Sequence, residues 1–461
     1  MPRFVIELAV AVFCAAIYAR TLGFELVFDD LSLLGSEGPV PAGNGLLPYR
    51  PLRYLSFLID FNLGGGRSWV YHLNNVLLHA LVAVLALRTA IGLGARRAMA
   101  VAACLAFAVH PLAVEAVAYV SGRRDLLATA FSLAAVGAWI SPRPRSALAV
   151  PMVLAAAASK ESGVIVIGIL GLASAAGLGP SPRQAIVILG GLLAASVALL
   201  VAYGATGVTA GVFTASSFSS AGAMVVHYMG GLLWPLGLSA DYPHLHGGEA
   251  GPWGGSVAAT LLLVLAAALW RLRRAPKPAP LAFATAWVGT VAVLTCFVVA
   301  MNEPGADRHG YPLLVAAAVA LALGLSALPA RTGRAACVSL AVCTALLAAL
   351  CWQQSALWRN QWTLWSGTVV SAPRSLRAHY NVAALLVQAG DPGHARSHLR
   401  RTLALDRGYA PAWLGLAYLR CVEGRPRAAA TALQKARKRG AHWRDVAVVE
   451  AACKGNSSAD D

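Results

Sequence analysis

Residues 3–30, RFVIELAVAVFCAAIYARTLGFELVFDD, run from an apolar stretch into two adjacent carboxylates, Asp29 and Asp30. A crossing helix needs about 20 mostly apolar residues, and residues 4–22 supply them. No small-residue cleavage site precedes Gly23, so the run reads as an uncleaved signal anchor. Two readings of the carboxylates stand side by side. They solvate the end of a helix, or they are placed to take a proton from a hydroxyl at the membrane surface.

The rest of the 461 residues fits a membrane setting. Hydrophobic residues make up 58% and charged residues 12%, against about 25% charged in soluble domains. The mean hydropathy is +0.64. The net charge of +17 is not gathered into a patch. Its charges punctuate apolar runs, which excludes a nucleic-acid surface. The eight cysteines form no CxxC pair. Cys14, Cys104, Cys296, Cys337, Cys343 and Cys351 lie in apolar runs and read as small buried hydrophobes. Cys421 and Cys453, in the polar tail, are left as a pair that need not form.

Eleven stretches read as spans: 4–22, 73–91, 98–112, 125–140, 147–159, 162–178, 184–204, 256–270, 280–300, 310–328 and 335–352. The fifth is short enough to be re-entrant. The expected fold is therefore an all-α polytopic membrane protein of about 11 transmembrane helices. With the N-terminus in the cytoplasm, the inner loops carry bases such as Arg88, Arg96, Arg97, Arg143, Arg145 and Arg271, and no acid. The acids, including Asp29, Asp30, Glu37, Asp60, Glu115, Asp241, Glu249 and Glu303, then fall outside. This is the positive-inside pattern of a multi-pass inner (cytoplasmic) membrane protein. A segment at 222–236 is expected to lie in the interface, anchored by Trp234.

From about Trp358 the chain repeats at 34 residues. Ala378 aligns with Ala412, Val382 with Leu416, Gly390 with Gly424, and Leu399 with Leu433. That period, with small residues where helices meet, is the tetratricopeptide signature. The expected domains are a membrane domain at 1–357, extracytoplasmic helical repeats at 358–453, and a disordered tail at 454–461.

Ionisable groups near span ends are costly and therefore informative. The outer face gathers Asp29 and Asp30, then His110, Glu115, Arg123, Arg124 and Asp125 within HPLAVEAVAYVSGRRDLLA, then Lys160 and Glu161, Asp241 and Arg308. Local pairing of Arg124 with Asp125 and of Lys160 with Glu161 is one account of the bases. Holding a lipid phosphate is the other, for which Arg forks and Lys point charges suit. A base, phosphate-binding cations and polar groups to orient a sugar are what glycosyl transfer from a polyprenyl phosphate requires. Asp241, His244 and His246 also raise a metal set, beside the reading of a solvated loop. The need for a divalent cation is left open, and no cofactor is assigned.

The runs YRPLRYLSFLIDFNLGGGRSWVYHLNNVLLH and HPLAVEAVAYVSGRRDLLA, then SKESG, LSADYP and ADRHGYPLL, occur in that order after FDD and before the repeats. Together they resemble the tetratricopeptide-containing transmembrane O-mannosyltransferases and their bacterial relatives, of the GT-C glycosyltransferase superfamily. The resemblance implies inverting transfer of a sugar, mannose in the eukaryotic relatives, from a polyprenyl-phosphate donor to a protein or glycan hydroxyl on the extracytoplasmic face. It implies Asp29 or Asp30 as the base. Arg123, Arg124 and Lys160 would meet the phosphate, while His110, Glu115, Asp125, Glu161, Asp241 and Arg308 would shape the site. Ala113 stands where relatives often carry a second histidine, and the repeats are fewer. The competing reading is a non-catalytic scaffold that assembles envelope proteins through its repeats. A transporter is disfavoured, because its charges should lie at mid-span.

Overall fold

The computed structural model describes residues 2–35, 38–40, 47–141, 146–202, 215–245, 251–302 and 305–457. The chain divides into two compact units. One comprises Met1–Leu238 and His244–Asn360, the other Ser239–Pro243 and Gln361–Asp461.

The first unit is helical apart from a two-residue antiparallel pairing of Leu34–Gly35 with Gly38–Pro39. Its helices are α1 (Arg3–Tyr18), α2 (Asp30–Leu33), α3 (Pro51–Gly64), α4 (Ser68–Gly92), α5 (Arg97–Ala108), α6 (Val114–Ala118), α7 (Arg123–Trp139) and α8 (Ser146–Ser159). Then come α9 (Ile165–Ala175), α10 (Pro182–Ala202), α11 (Ala215–Leu233), α12 (Gly251–Arg274), α13 (Pro280–Asn302), α14 (Tyr311–Ala327) and α15 (Ala330–Ser355).

Helix α4 is the central strut and packs on α1, α5 and α7. Its buried residues recur every three or four positions, as in Tyr71, Asn75, His79, Val82, Ala86 and Ala90. Of its buried histidines, His72 has neither ring nitrogen hydrogen-bonded among the described residues, whereas His79 is matched at both. His79 meets the Tyr311 hydroxyl at 2.8 Å and the Ala108 carbonyl at 3.1 Å.

Each of the eleven expected stretches is largely helical, but the count of eleven crossings is not carried. Among the described residues six helices are long and apolar enough to cross a membrane, or seven if the pair Arg97–Ala108 and Pro111–Ala118, bent by 58°, is one span. The other expected spans fall on Arg123–Trp139, of 17 residues, on the shorter apolar helices Ser146–Ser159 and Glu161–Ala175, and on α13, which runs 23 residues. At 1.5 Å per residue the first three reach only about 21–26 Å, less than a hydrocarbon core of about 30 Å. The 58° bend has a local cause. Pro111 lacks an N–H and disfavours helix at the residue before it, and His110 is extended there at ψ 128°. The expected interfacial segment is α11, and Trp234 just beyond it is 72% exposed.

The second unit holds α16 (Gln361–Ser371), α17 (Leu376–Gln388), α18 (Pro392–Leu405), α19 (Ala410–Val422), α20 (Pro426–Lys438) and α21 (Trp443–Ser457). The 34-residue alignment becomes α17 on α18 and α19 on α20, with Ala378, Val382, Leu399, Ala412, Leu416 and Leu433 all buried. Gly390 and Gly424 turn the chain at φ +76° and +66°, where a side chain would be strained. Two readings of the tail change. Cys421 and Cys453 are joined by a disulfide, which ties α19 to α21. Helix α21 also continues through Ser457, into the stretch expected to be disordered. Residues 458–461, and Glu37, Arg143, Arg145, His246, Glu249 and Glu303, lie outside the described residues.

Candidate active site

At one end of the first unit the segment after α1 folds onto the loops between later helices. Leu34, Phe57, Tyr71 and Val120 form the apolar cluster beneath it. Phe28 takes φ +57°. This is a left-handed conformation that a bulky residue rarely adopts and that clusters at functional sites. The turn separates the two carboxylates. Asp30 is wholly buried. One of its oxygens accepts from the Ser121 N–H at 2.8 Å and hydroxyl at 2.6 Å, the other from the Val27 N–H at 3.3 Å. Burial pushes its carboxyl up to about 7, against the pull of those donors. Asp29 is exposed and its side chain caps no helix.

Tyr119 floors this turn. Its ring stacks on Trp358 at 5.3 Å, lies 5.8 Å from Phe28, and sits 5.7 Å from the Arg308 guanidinium carbon. Burial, with the Asp30 and Asp29 carboxylates, holds its phenol protonated well above the usual range.

The loop that carries Tyr119 is fixed by α4. Asn75 donates to the Val117, Tyr119 and Val120 carbonyls at 3.1–3.3 Å and accepts from Arg123 Nε at 2.8 Å. Gly122 lets the chain close, since a Cβ there would stand 2.6 Å from the Ala116 carbonyl oxygen.

The cations then separate into two kinds. Arg123 is wholly buried and its donors are taken by Asp60, Asn75, the Ser56 carbonyl and the Tyr71 carbonyl. It holds α3, α4 and α7 together. Arg308 pairs with Glu115 through its side chain and donates its backbone N–H to the same carboxylate at 3.0 Å. Of the local pairings expected, Arg124 stands 3.6 Å from Asp125, but Lys160 does not turn to Glu161. Lys160 reaches Asp125 at 2.6 Å and His309 Nδ1 at 2.9 Å, while Glu161 receives a two-pronged contact from Arg50 at 2.9–3.2 Å.

Arg53 is different. It is 5% exposed, and its Nε is buried without a hydrogen-bond partner among the described residues. Burial, together with the guanidiniums of Arg50 and Arg124, lowers it to about 10. A buried cation crowded by two others is costly unless an anion completes the set. Arg50 and Arg53 lie in YRPLRYLSF, at the start of α3. Arg50 takes φ +56° ahead of Pro51 at the first helical turn. Their roles were missed in the sequence, although two arginines three apart on one helix turn were a usable signal.

Two expected residues do not join. His110 is a hinge pin, accepting from the Leu112 N–H at 3.2 Å and meeting the Leu232 carbonyl at 3.1 Å. Asp241 belongs to the second unit, where it accepts from Ser375 at 2.6 Å and lies 4.0 Å from Arg377. No group of three or more metal-binding side chains occurs among the described residues; the set of Asp241, His244 and His246 is not tested by this, because His246 lies outside them.

A tetratricopeptide repeat model matches residues 386–453. The chain is 37% identical over 182 residues to protein O-mannosyl-transferase TMTC3 of Mus musculus, covering 34% of this chain and 20% of that protein. It is 28% identical over 178 residues to protein O-mannosyl-transferase F38B6.6 of Caenorhabditis elegans, covering 33% and 25%. It is 46% identical over 85 residues to protein O-mannosyl-transferase TMTC2 of Mus musculus, covering 18% and 10%. The chain thus spans a quarter or less of these relatives' own lengths. No solved structure matches. The chain is thus similar, over about a third of its length or less, to proteins named as protein O-mannosyl-transferases, and it has a tetratricopeptide region of its own.

Proposed function

We propose that this protein is an integral-membrane glycosyltransferase that moves a sugar, mannose by analogy with its relatives, from a polyprenyl-phosphate donor to an acceptor hydroxyl on the extracytoplasmic face. The observation that carries the reading is Arg53, a buried guanidinium with an unanswered Nε beside Arg50 and Arg124. A phosphate is the anion that such a cluster fits, through the forked donors of arginine.

The division of the carboxylates supports the chemistry. Asp30 is engaged by Ser121 and Val27 and anchors the turn. Asp29, exposed on the strained turn, acts as the base. It takes the proton of the acceptor hydroxyl as that oxygen bonds to the sugar's anomeric carbon from the face opposite the phosphate. The bond from that carbon to the phosphate oxygen breaks, and the electron pair leaves with the phosphate. Arg53 and Arg124 stabilise the charge that grows there, with Lys160 held behind them by Asp125 and His309. The configuration at the carbon inverts. The repeats, whose fold suits protein contacts, receive the acceptor.

Membranes holding the protein are incubated with labelled polyprenyl-phosphate mannose and an acceptor extract. Asp29→Asn is expected to lower transfer at least about 100-fold while the protein still inserts. Normal transfer by Asp29→Asn removes the base assignment, and absence of transfer by the unaltered protein with every polyprenyl-phosphate sugar tried removes the reading.

A further inference from the structure

Helices α1, α4, α7 and α8 each have one end near the ion-pair network and another end far from it. At the far ends they enclose a cleft of about 780 Å³. Arg88 lies 13 residues along α4 from Asn75, or about 20 Å at 1.5 Å per residue. The cleft is therefore separate from the site of Asp29 and Arg53.

Its polar wall is a trio. Glu7, 8% exposed, accepts from Arg88 Nε at 2.9 Å and Nη2 at 2.6 Å, and from Arg3 Nε at 3.2 Å. Two guanidiniums on one carboxylate leave a net single positive charge. Both arginine side chains are about half exposed, at 55% and 52%. Neither Arg3 terminal nitrogen, nor Arg88 Nη1, makes a hydrogen bond among the described residues. Apart from Thr89 and Ser141 the rest of the lining is apolar, with Phe4, Leu85, Leu133 and Leu148, and Phe4 and Leu148 are 71% and 57% exposed.

We propose that this cleft binds an anionic glycerophospholipid, its phosphodiester on Arg3 and Arg88 and an acyl chain along Phe4, Leu85, Leu133 and Leu148. A single negative charge matches the single charge left on the trio. The unengaged guanidinium nitrogens point the contact to phosphate oxygens, and basic pockets between membrane helices hold lipid headgroups in this way. Glu7 orients the two arginines and weakens their hold, so the lipid exchanges.

The test is native mass spectrometry of the full chain released from nanodiscs containing equal phosphatidylglycerol and phosphatidylcholine. Phosphatidylglycerol is expected to be retained at least about fivefold over phosphatidylcholine, the factor for one basic contact near a membrane surface. Arg3→Gln, on the exposed first turn, should reduce that preference, and the double variant with Arg88→Gln should abolish it. Glu7→Gln should strengthen it. Polyprenyl phosphate added in the same nanodiscs should not displace the retained lipid. Sugar transfer should persist in Arg3→Gln, which separates this result from the fate of the proposed enzyme. Equal retention of the two lipids, or an unchanged preference in the double variant, overturns the proposal, as does displacement by polyprenyl phosphate.

Discussion

Ser121 gives both of its donors, the backbone N–H at 2.8 Å and the hydroxyl at 2.6 Å, to one oxygen of Asp30, 91 residues earlier in the chain. This double contact fastens the turn after the first helix to the loop before α7. Ser121→Ala keeps the N–H and removes the hydroxyl. A hydrogen bond to a charged group contributes about 1.5–3 kcal/mol, so the variant should lose about that much stability. Sugar transfer should fall with it, because the turn that carries Asp29 loosens. Thermal unfolding in detergent and transfer by the same preparation check both. Unchanged transfer at reduced stability would separate the anchor from the chemistry.

Asp30 itself gives the fold a pH dependence of defined sign. Its folded carboxyl titrates at about 7, above its ordinary value of 3.8, because burial disfavours the charge. Between those values the folded state binds more protons than the unfolded one, so this group's contribution to stability declines as pH rises through the window and levels above it. The slope has a ceiling of about 1.4 kcal/mol per pH unit. Asp30→Asn lacks the titration. The unfolding temperature of the unaltered protein minus that of Asp30→Asn should therefore fall from pH 5 to pH 8. Parallel profiles would contradict the buried ionisation.

Arg53 and Arg123 are both buried arginines, and the structure assigns them opposite consequences. Arg123 answers Asp60, so Arg123→Gln leaves a buried carboxylate without its cation, with only the Asn74 amide donating to it, and should cost about 3–5 kcal/mol. Arg53 makes no ion pair among the described residues, so Arg53→Gln should leave stability within about 1 kcal/mol, or raise it. Its cost should appear in sugar transfer, with a loss of about 100-fold and weaker retention of polyprenyl phosphate. Scanning calorimetry of both variants beside transfer rates checks the split. If Arg53→Gln unfolds and Arg123→Gln does not, the two roles are exchanged.

These contrasts show what the sequence could express. Helical stretches and a 34-residue period are local patterns, so most of the long helices and the α17–α20 repeats were legible, while α2, α3 and α6, in segments read as loops, were not. The grouping of Asp30, Glu115, Arg124, Asp125, Lys160 and Arg308 at one face was also legible, from charges at span ends. Pairing was not. Lys160 passes its neighbour Glu161 for Asp125, and Glu161 takes Arg50, 111 residues away. Those choices depend on how short helices end against each other, which no local window records. The count of eleven spans was not confirmed, for a related reason. Length decides crossing, and α7 and α8 stop where Arg123 and Lys160 must meet buried acids. Asp241 lies in a five-residue segment, Ser239–Pro243, that belongs to the repeat unit, which no local window records.

The disulfide between Cys421 and Cys453 leads to the last prediction. It closes a loop of 32 residues between α19 and α21, and Leu414, Ala417, Leu433, Val446 and Val449 share one apolar cluster beside it. Helix α21 buries its apolar face on α19 and α20. A crosslink of this size contributes about 2–4 kcal/mol. Cys421→Ser should therefore release α21, and limited proteolysis should cut near Trp443 at least about 10-fold faster while α17 and α18 stay protected. The same bond reports the compartment, since such links persist where the surroundings oxidise. In intact membranes, Cys421 and Cys453 should resist a thiol-alkylating reagent until a reductant is added. Alkylation without reductant would put the repeats on the reducing side, and with them the proposed acceptor on the wrong face for Asp29.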